Sequence, residues 1–503
     1  MTNCRLHCTY KTTGHIEALR QRDLSVRPTA NCSKQNEDMS KGIDHAQFAE
    51  NGAARPALVF VIVCVGIILA NLDLFIVNVA LPRIAKDFRG ASLEDLSWVL
   101  NGYAIAYSAL LVFFGRLAES YRRDRSFMVG IGVFTAASAA CAVAGGVWEL
   151  VAFRVVQAAG AALMTPTSLG LLLASYPADQ RGGAVRNWAA VGGIAAALGP
   201  VVGGILVSVD WRWIFIVNVP LGLIAMVVGR LKLRAVPGHD APKPSIYGAL
   251  LITGGIGALV FAIVKVGDWG LESASIRLTA LASVACLALF VHHCLRSRNP
   301  FLDPSLFRIR QFSAAAMVFT PYGVAFGAML FSVAFWGQSA WGWSALHAGL
   351  AMVIGPSLVP TVSFLLVGRL IERFGPRPVI GAGLLAIVAG FCLWAMVIGK
   401  EPNTAAVVAG MVLNGIGVGL SFPTLMGVST SALPPSSFAT GSGVINMIRQ
   451  AASAVGVAIF VAIVGSPVTL DERLAAFHLG WWVMAGITAL ALPPALLIAG
   501  KTR

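Results

Sequence analysis

The chain has 503 residues, of which 57% are hydrophobic and only 12% are charged, and its mean hydropathy is +0.77. Soluble globular proteins carry roughly 25% charged residues, so this composition excludes a water-soluble domain and indicates that lipid surrounds most of the chain. The formal charge of +14 would suit a nucleic-acid-binding protein, but the basic residues are concentrated between apolar segments, and we expect no nucleic-acid partner.

Residues 1–55 are polar, mixed in charge and without the apolar core of a signal peptide. We predict that they form a disordered cytoplasmic tail, within which Met39 is an alternative translation start. Cys4, His7 and Cys8 are spaced like metal ligands, but no second pair follows at ligand spacing. We therefore predict no metal site and no cofactor.

Fourteen long apolar runs follow the tail, and each is long enough to cross a bilayer, because a membrane helix needs about 20 apolar residues. The sequence therefore predicts an all-α integral membrane protein with 14 transmembrane helices. The predicted spans are 57–80, 96–114, 126–146, 148–174, 184–208, 213–231, 246–266, 277–295, 312–337, 345–368, 378–399, 404–428, 441–466 and 479–499.

The distribution of positive charge predicts the orientation of these spans. The N-terminal tail, the C-terminus and the loops on their side of the membrane, counted with the adjoining helix ends, carry 27 Lys and Arg residues, whereas the opposite side carries 8. Lys and Arg are enriched on the cytoplasmic side of membrane proteins. We therefore predict a multi-pass protein of the plasma (inner) membrane with both termini in the cytoplasm.

Several sequence patterns occur twice. The string GRLAESYRRDR at 115–125 is echoed by GRLIERFGPR at 368–377, each directly after an apolar run, and we interpret each as a turn with a basic tail. A G-x5-P-T-x2-G pattern begins at Gly160 and again at Gly417, and the offsets between copies are 253 to 259 residues. Within these motifs, the positions to which we assign a conformational role are Gly115, Glu119, Arg123, Gly160, Gly368 and Glu372.

Six helices, a two-helix insert and six more helices would produce offsets of this size. We predict a tail at 1–55, a six-helix bundle at 56–235, a two-helix insert with cytoplasmic linkers at 236–311 and a second, pseudo-symmetric six-helix bundle at 312–503. Internal repeats of membrane helices are typical of secondary transporters, which bind substrate between the repeats near the bilayer midplane. The pattern favours a small-molecule transporter over a receptor or an enzyme.

Helix 5 carries the string GPVVGG at 199–204. Small residues spaced three or four apart let helices approach closely in lipid, and a proline within a helix removes a backbone hydrogen bond and bends the helix. We predict that Gly199, Pro200, Gly203 and Gly204 serve conformational exchange and sealing rather than substrate binding. A tightly packed, kinked helix is the simpler alternative.

Asp73 is the only carboxylate that we place well inside a predicted span, where insertion of a charge costs about 2.5–3.5 kcal/mol. From the predicted helix ends it lies about 12 Å deep, and Arg154 lies about 9 Å deep from the same side, at 1.5 Å per residue. We predict that Asp73 is the proton-coupling carboxylate and that Arg154 tunes it. The alternatives are a static pair that locks two helices, or two charges that each snorkel to water.

Other polar and aromatic side chains within the spans are candidates for a substrate cavity, because drug pockets combine apolar and aromatic walls with few polar groups. Arg449 is a candidate substrate or gating contact and equally a snorkelling arginine. The candidates are Asn101, Tyr103, Gln157, Asn446 and Arg449. The sequence contains no Walker-type loop, HExxH or GxSxG motif, so we predict no enzymatic activity and no ATP-driven transport by this chain alone.

Five motifs, in order along the chain, resemble the major facilitator superfamily, and specifically its fourteen-helix drug:proton antiporter branch (EmrB/QacA-like). The resembling segments are LDLFIVNVALP at 72–82, the 115–125 string with Arg122 where glycine is typical, the helix 4 motif with Arg154, Gln157 and Gly160, GPVVGG at 199–204, and WRWIFIVNVP at 211–220. The resemblance covers about 56–500, which leaves only the N-terminal tail outside.

This resemblance implies alternating access by rocking of the two bundles, with proton influx exchanged for export of amphipathic compounds, as in multidrug efflux and antibiotic resistance. It also implies that Glu119, with Arg116 and Arg123 nearby, braces the bundles. The second bundle has Met411 where the 257-residue offset would place the equivalent of Arg154, so we predict that coupling resides in the first.

Other functions remain compatible with these patterns. An exporter of narrow specificity, for a metabolite or for self-resistance, would have the same sequence features, and a proton-coupled uptake symporter is the nearest competitor. A membrane sensor or enzyme would need a sizeable cytoplasmic domain or a catalytic constellation. The expected partners are a small-molecule substrate, protons, the lipid bilayer and, in a two-membrane bacterium, a periplasmic adaptor.

Overall fold

The computed structural model describes most of the chain after the N-terminal tail. The residues that it describes are 56–88, 92–177, 180–237, 245–270, 272–297, 300–433, 438–465 and 467–500. The predictions for the tail, including the Cys4–Cys8 cluster and Met39, lie outside the described residues. Within the described ranges the regular elements are helices.

Fourteen helices in the described part are long and apolar enough to cross a membrane, which confirms the predicted number and makes this a multi-pass membrane protein. They are α1 (Pro56–Asp87), α2 (Leu93–Ser120), α3 (Arg123–Ala142), α4 (Val147–Ser175), α5 (Arg181–Val209), α6 (Trp213–Ile216 and Asn218–Lys232), α7 (Ile246–Trp269), α8 (Ala274–Arg296), α9 (Arg310–Ser339), α10 (Ala345–Val362, a π-helical segment Ser363–Val367, and Gly368–Phe374), α11 (Pro376–Val397), α12 (Thr404–Ser431), α13 (Phe438–Val464) and α14 (Leu470–Ala489 with the short Leu492–Ala495). Below, the tail side is the side of the bundle where α1 begins, and the far side is the opposite one.

The two largest differences from the hydropathy-based spans are at the first and the last membrane helix. The first helix continues seven residues past the predicted end at 80, to Asp87. The last membrane helix begins at Leu470 rather than at 479, because Thr469 and Glu472 form a capping box in which each side chain accepts a hydrogen bond from the backbone of the other. The first turn of that helix is polar, so a search for apolar residues does not detect it.

The two GxLxE strings are helical, which corrects their interpretation as turns. Gly115 lies within α2, and Gly368 lies within α10. The chain turns only afterwards, at Tyr121, whose backbone is extended, and at Gly375, which has a φ of +84°. A positive φ of this kind favours glycine. The side chain of Glu119 lies outside the described ones, so its predicted bracing contact is not described.

The helix pairings of the first half recur in the second. Helix α1 packs on α4, α5 and α6, α2 packs on α4, and α3 packs on α4 and α6. In the same order, α9 packs on α12, α13 and α14, α10 packs on α12, and α11 packs on α12 and α14. Contacts between the halves run from α5 to α10 and from α2 to α13, while α7 packs on α2, α13 and α8.

A glycine that recurs in the sequence makes the same close contact in both halves. A Cβ on Gly160 of α4 would lie 2.8 Å from the carbonyl oxygen of Gly130 and 2.5 Å from the backbone nitrogen of Phe134 in α3. In the second half, a Cβ on Gly417 of α12 would lie 2.6 Å from the carbonyl oxygen of Gly383 in α11. A larger residue cannot be accommodated there, which gives the repeated glycine a packing reason.

Candidate functional site

Asp73 is fully buried near the middle of α1 and has all of its partners on other helices. Its Oδ2 forms an ion pair with Nη1 of Arg154 on α4. Its Oδ1 accepts hydrogen bonds from Nε2 of Gln157 at 2.8 Å and from Nδ2 of Asn218 at 3.3 Å. The carboxylate and guanidinium that were predicted to lie at similar depth are therefore in direct contact, and both carboxylate oxygens are engaged.

Arg154 is fully buried and is surrounded by further partners. Its Nε donates to the carbonyl oxygen of Val99 at 3.3 Å, and its Nη1 donates to Oε1 of Gln157 at 2.8 Å. The guanidinium carbon lies 4.1 Å from the ring centroid of Tyr103, a cation–π contact. Gln157 also donates to Ser138 at 2.7 Å. Buried charges are tolerated when they are paired and hydrogen-bonded in this way.

Two members of this polar cluster were not predicted, namely Asn218 and Ser138. Asn218 begins the second piece of α6, directly after the break at Val217. Its amide is directed toward both Asp73 and Ser138. An asparagine inside the apolar string 211–220 was the available signal, but the sequence does not show which helix it faces.

A cavity of about 340 Å³ lies between the two halves, and we call it the main cavity. Ligand pockets are commonly about 300–1,000 Å³, so the main cavity has the size of a drug-like molecule. Two predicted candidates, Asn446 and Arg449 of α13, line it. Its aromatic lining residues are Phe75, Tyr107, Trp188, Tyr322, Phe326 and Phe422.

A small cavity of about 50 Å³ lies toward the far side of the main cavity, and it is large enough to hold water. Its polar lining residues are Asn78, Asn101, Arg154, Gln450 and Ser453. Phe75, Phe326 and Leu330 line both cavities, and the two phenylalanine rings meet edge to face with centroids 6.2 Å apart. Apolar side chains thus separate the substrate-sized space from the space that reaches Arg154.

The remaining cavity candidates lie elsewhere. Asn101 lines the small cavity. Tyr103 and Gln157 line neither cavity, because Tyr103 is packed under the guanidinium of Arg154 and Gln157 bonds to Asp73. Their predicted role as cavity residues does not fit these positions, and both belong to the buried polar cluster instead.

Comparison with known proteins identifies the family. Residues 63–340 and 313–502 match the Major Facilitator Superfamily. The chain belongs to this superfamily. The family membership expected from the motifs is therefore confirmed.

Relatives within the superfamily cover most of the chain. The "Tetracenomycin C resistance and export protein" of Streptomyces glaucescens is 31% identical over 440 residues, which cover 86% of this chain and 79% of that protein. The "Multidrug resistance protein Stp" of Mycobacterium tuberculosis (strain CDC 1551 / Oshkosh) is 32% identical over 415 residues, which cover 81% of this chain and 76% of that protein. The crystal structure of tetrameric PepTSo2 aligns with a TM-score of 0.62 at 14% identity, covering 88% of this chain and 97% of that one. At this identity the structural likeness shows the fold alone.

In this superfamily member, the GPVVGG string of α5 packs against two different helices. A Cβ on Gly199 would lie 2.8 Å from Cβ of Phe75, and one on Gly203 would lie equally close to α1. A Cβ on Gly204 would instead lie 2.6 Å from Cα of Leu346 at the start of α10. The first two glycines thus hold α5 on its own half, and the third holds it against the other half.

The two halves are in backbone contact at the far side. The carbonyl oxygen of Pro200 lies 2.2 Å from the point where a Cβ on Gly349 of α10 would stand. Gln338 of α9 donates to the carbonyl oxygen of Val79 of α1 at 3.0 Å. In this conformation the far side is therefore closed along two helix pairs that belong to different halves.

The start of α3 is tied to its neighbours at the tail side. The side chain of Arg123 lies against Gly170 of α4, because a Cβ there would stand 3.0 Å from Cδ of the arginine. Asp124 pairs with Arg122 at 2.7 Å and accepts a hydrogen bond from the backbone N–H of Val236 at 3.0 Å. These contacts link the 115–125 string to α4 and to the segment that follows α6.

Proposed function

We propose that this chain exports small amphipathic compounds by alternating access, in exchange for protons that enter the cell. The observation that carries the proposal is Asp73, a fully buried carboxylate paired with Arg154 beside the main cavity but outside its lining. The relative named as a resistance and export protein and the relative named as a multidrug resistance protein support export as the direction of transport. The charge bias of the loops supports cytoplasmic termini in the plasma (inner) membrane.

The buried ion pair supplies a way to link protonation to a change of conformation. While Asp73 is ionised, it compensates the charge of Arg154. A proton on Asp73 would remove that compensation and leave a buried cation without its partner, which is strongly unfavourable. Arg154 already reaches the small cavity, where water can take over part of its solvation. Protonation therefore favours a rearranged, more hydrated conformation of the cluster.

Helix α1 connects the proton site with the substrate space. Asp73 faces the polar cluster, while Asn71 and Phe75, two residues away on either side, line the main cavity. A shift of α1 that accompanies protonation would move both groups of side chains together. Phe75 also contacts Gly199, so the same shift would reach α5 and its contact with α10.

We take the two six-helix bundles, 56–235 and 312–503, as the bodies that rock, with 236–311 as an insert outside the pathway. The recurring helix pairings and the matched contacts of Gly160 and Gly417 support this division. Helix α7 packs on α2 and α13, one helix from each bundle, and α8 packs on α7. The main cavity is lined by residues of neither α7 nor α8.

The proposal is tested with Asp73→Asn in inverted membrane vesicles that carry a proton gradient. We expect loss of uphill substrate transport and of substrate-induced proton release, because the amide cannot carry the proton, while substrate binding is retained. Asp471→Asn is the matched control, because that carboxylate is exposed and pairs with Lys400 at the surface. Full uphill transport and proton release by Asp73→Asn would show that Asp73 is structural.

A second variant covers the case in which Asp73→Asn fails to fold. The single change leaves Arg154 as an uncompensated buried charge, which costs about 3–5 kcal/mol. Asp73→Asn/Arg154→Gln replaces the ion pair by neutral amides and removes that penalty. We expect this double variant to be stable and to bind substrate, but to transport only downhill. Uphill transport by the double variant would equally contradict the proposed role.

A narrow-specificity exporter is the second candidate function. The name of the Streptomyces relative, a resistance and export protein for a single antibiotic, favours it. Growth of a hypersusceptible host that expresses the chain, measured against a panel of antiseptics, dyes and antibiotics, separates the two. Protection against one chemical class alone would favour the narrow exporter, and protection against unrelated classes would favour multidrug export.

A further inference from the structure

Arg449 is a cation in the main cavity, and none of the described residues supplies a carboxylate partner for it. It lies eleven residues after the start of the 27-residue helix α13, about 16 Å along its axis at 1.5 Å per residue, and therefore close to its middle. Its guanidinium carbon lies 5.5 Å from the ring centroid of Phe422 and 5.8 Å from that of Phe326. Its Nε has no hydrogen-bond partner among the described residues.

The charge of the main cavity is set by this one residue. Among the described residues that line the cavity, Arg449 alone carries a charge. Asp73, the nearby carboxylate on α1, is turned away and is engaged by Arg154, Gln157 and Asn218. A cationic ligand would thus meet a like charge and no counter-charge, whereas an anionic ligand would supply the partner that Arg449 lacks.

The neutral polar groups of the lining add a second requirement. The amide nitrogens of Asn71, Asn414 and Asn446 donate to carbonyl oxygens of their own helices, at 3.0, 2.9 and 3.1 Å. The amide oxygens of Asn71 and Asn446 are left to accept hydrogen bonds, whereas Asn414 is fully buried and its side chain lies against Gly390 of α11. A ligand that fits this wall carries hydroxyl or N–H donors.

We infer that the main cavity binds aromatic compounds that bear an anionic group and hydroxyl donors, with Arg449 as the anion-binding residue. The aromatic lining supplies stacking surfaces for the ring system, because aromatic rings pack favourably face to face or edge to face. Guanidinium groups bind carboxylates and similar planar anions through two parallel hydrogen bonds. The inference rests on the proposed function in one respect, that the main cavity is the transport site.

The test compares two dyes with the same xanthene core, anionic fluorescein and cationic rhodamine 123, and measures their binding to the purified full-length protein by fluorescence polarisation. We expect the unmodified protein to bind fluorescein at least about tenfold more tightly, because one hydrogen bond to a charged group is worth about that factor. Arg449→Gln should abolish the preference, and Arg449→Lys should keep part of it, because lysine retains the charge without the planar fork. Arg277→Gln on exposed α8 is the charge-matched control and should change nothing.

Each other outcome contradicts the inference. It fails if the unmodified protein binds fluorescein no more tightly than rhodamine 123, or if Arg449→Gln keeps the preference. It also fails if Arg449→Gln loses both dyes equally, as a purely structural arginine would. Rhodamine binding that stays equal or becomes stronger in Arg449→Gln shows that the variant is folded.

The failure of this inference can be told apart from the failure of the proposed function. Proton-driven efflux without any preference for fluorescein would leave the exporter proposal intact and remove the anion-binding role. Selective fluorescein binding in a protein that shows no proton-driven transport would support the anion-binding role of Arg449 and contradict the exporter proposal. Both measurements use the same purified protein, once in detergent and once reconstituted into vesicles.

Discussion

Among the side chains that the structure describes, each half of the chain holds one arginine deep within the membrane helices, and the two arginines differ in their surroundings. Arg154 of the first half is fully buried, ion-paired with Asp73 and hydrogen-bonded on several sides. Arg449 of the second half faces the main cavity and two aromatic rings, and the described residues that line the cavity beside it include no acidic side chain. One cation is thus enclosed by protein, whereas the other is available to a ligand.

The repeat makes this difference informative, because the helix pairings around the two sites correspond. With the 257-residue offset, the position of Arg154 is occupied by Met411, and that of Gln157 is occupied by Asn414. Both of these second-half residues line the main cavity. The same scaffold position therefore holds a buried polar cluster in the first half and a wall of the substrate-sized space in the second. We propose that the duplication separated proton coupling from substrate binding in this way.

The most damaging change to this arrangement is expected from Arg154→Met, which gives the first half the residue of the second. Removal of one partner from a buried ion pair costs about 3–5 kcal/mol, so we expect a large drop in thermal stability in detergent together with loss of proton-driven efflux. Asp73→Asn/Arg154→Met removes both charges and should recover most of the stability without recovering efflux. If Arg154→Met alone were as stable as the unmodified protein, Asp73 would not be left as an uncompensated buried charge. That result would contradict the description of the cluster as a buried ion pair.

A smaller effect is expected at the contact between the halves on the far side. A Cβ on Gly204 would stand 2.6 Å from the backbone of Leu346, and backbone cannot move aside as a flexible side chain can. Overpacking of this kind costs about 1–3 kcal/mol, paid only in the conformation that closes the far side. We expect Gly204→Ala to slow efflux about tenfold or more and to raise the reactivity of a cysteine introduced at position 79 toward a water-soluble reagent.

The matched control for this contact is a glycine that faces open space. A Cβ on Gly257 of α7 would meet no atom within 4 Å, so Gly257→Ala should leave both efflux and labelling unchanged. Gly199 provides a second comparison, because it contacts α1 of its own half. An unchanged efflux rate in Gly204→Ala would reduce GPVVGG to ordinary helix packing.

The sequence was sufficient for the helix number and for identifying the two residues of the central ion pair, for the same physical reason. A membrane helix must bury its backbone hydrogen bonds inside an apolar segment, so each span is visible in the hydropathy pattern. A charge within such a segment is costly, so Asp73 and Arg154 are conspicuous and each needs a partner. Their similar depth made a contact possible, and the packing of α1 on α4 brings the two side chains together.

The rest of the site depends on helix rotation and packing, which the sequence does not specify. Asn218 and Ser138 are neutral, so neither stands out in the sequence as a buried charge does, and the polar Asn218 in an apolar string does not reveal that it faces Asp73. Tyr103 and Gln157 lie on the same helices as true cavity or near-cavity residues, but on faces that turn toward Arg154. A polar residue on a membrane helix can face either side, and only the packing decides between a buried cluster and a cavity.

The smallest effect is expected from a change that narrows the main cavity without touching either arginine. Gly193 of α5 lines the cavity, and a Cβ there would meet no atom within 4 Å, whereas one on the adjacent Gly192 would stand 2.9 Å from Ile67. Gly193→Leu should therefore fold normally and occupy part of the cavity. We expect it to weaken binding of fluorescein a few-fold by steric exclusion, with little effect on a single-ring anion such as salicylate, because the smaller ligand does not need the lost volume. Fluorescein and salicylate binding, measured by competition on the same preparation, check this. Equal weakening of both ligands would mean that the change at Gly193 acts through Arg449 or through helix packing rather than by filling the cavity. The first half would then affect ligand binding by more than the shape of the cavity wall.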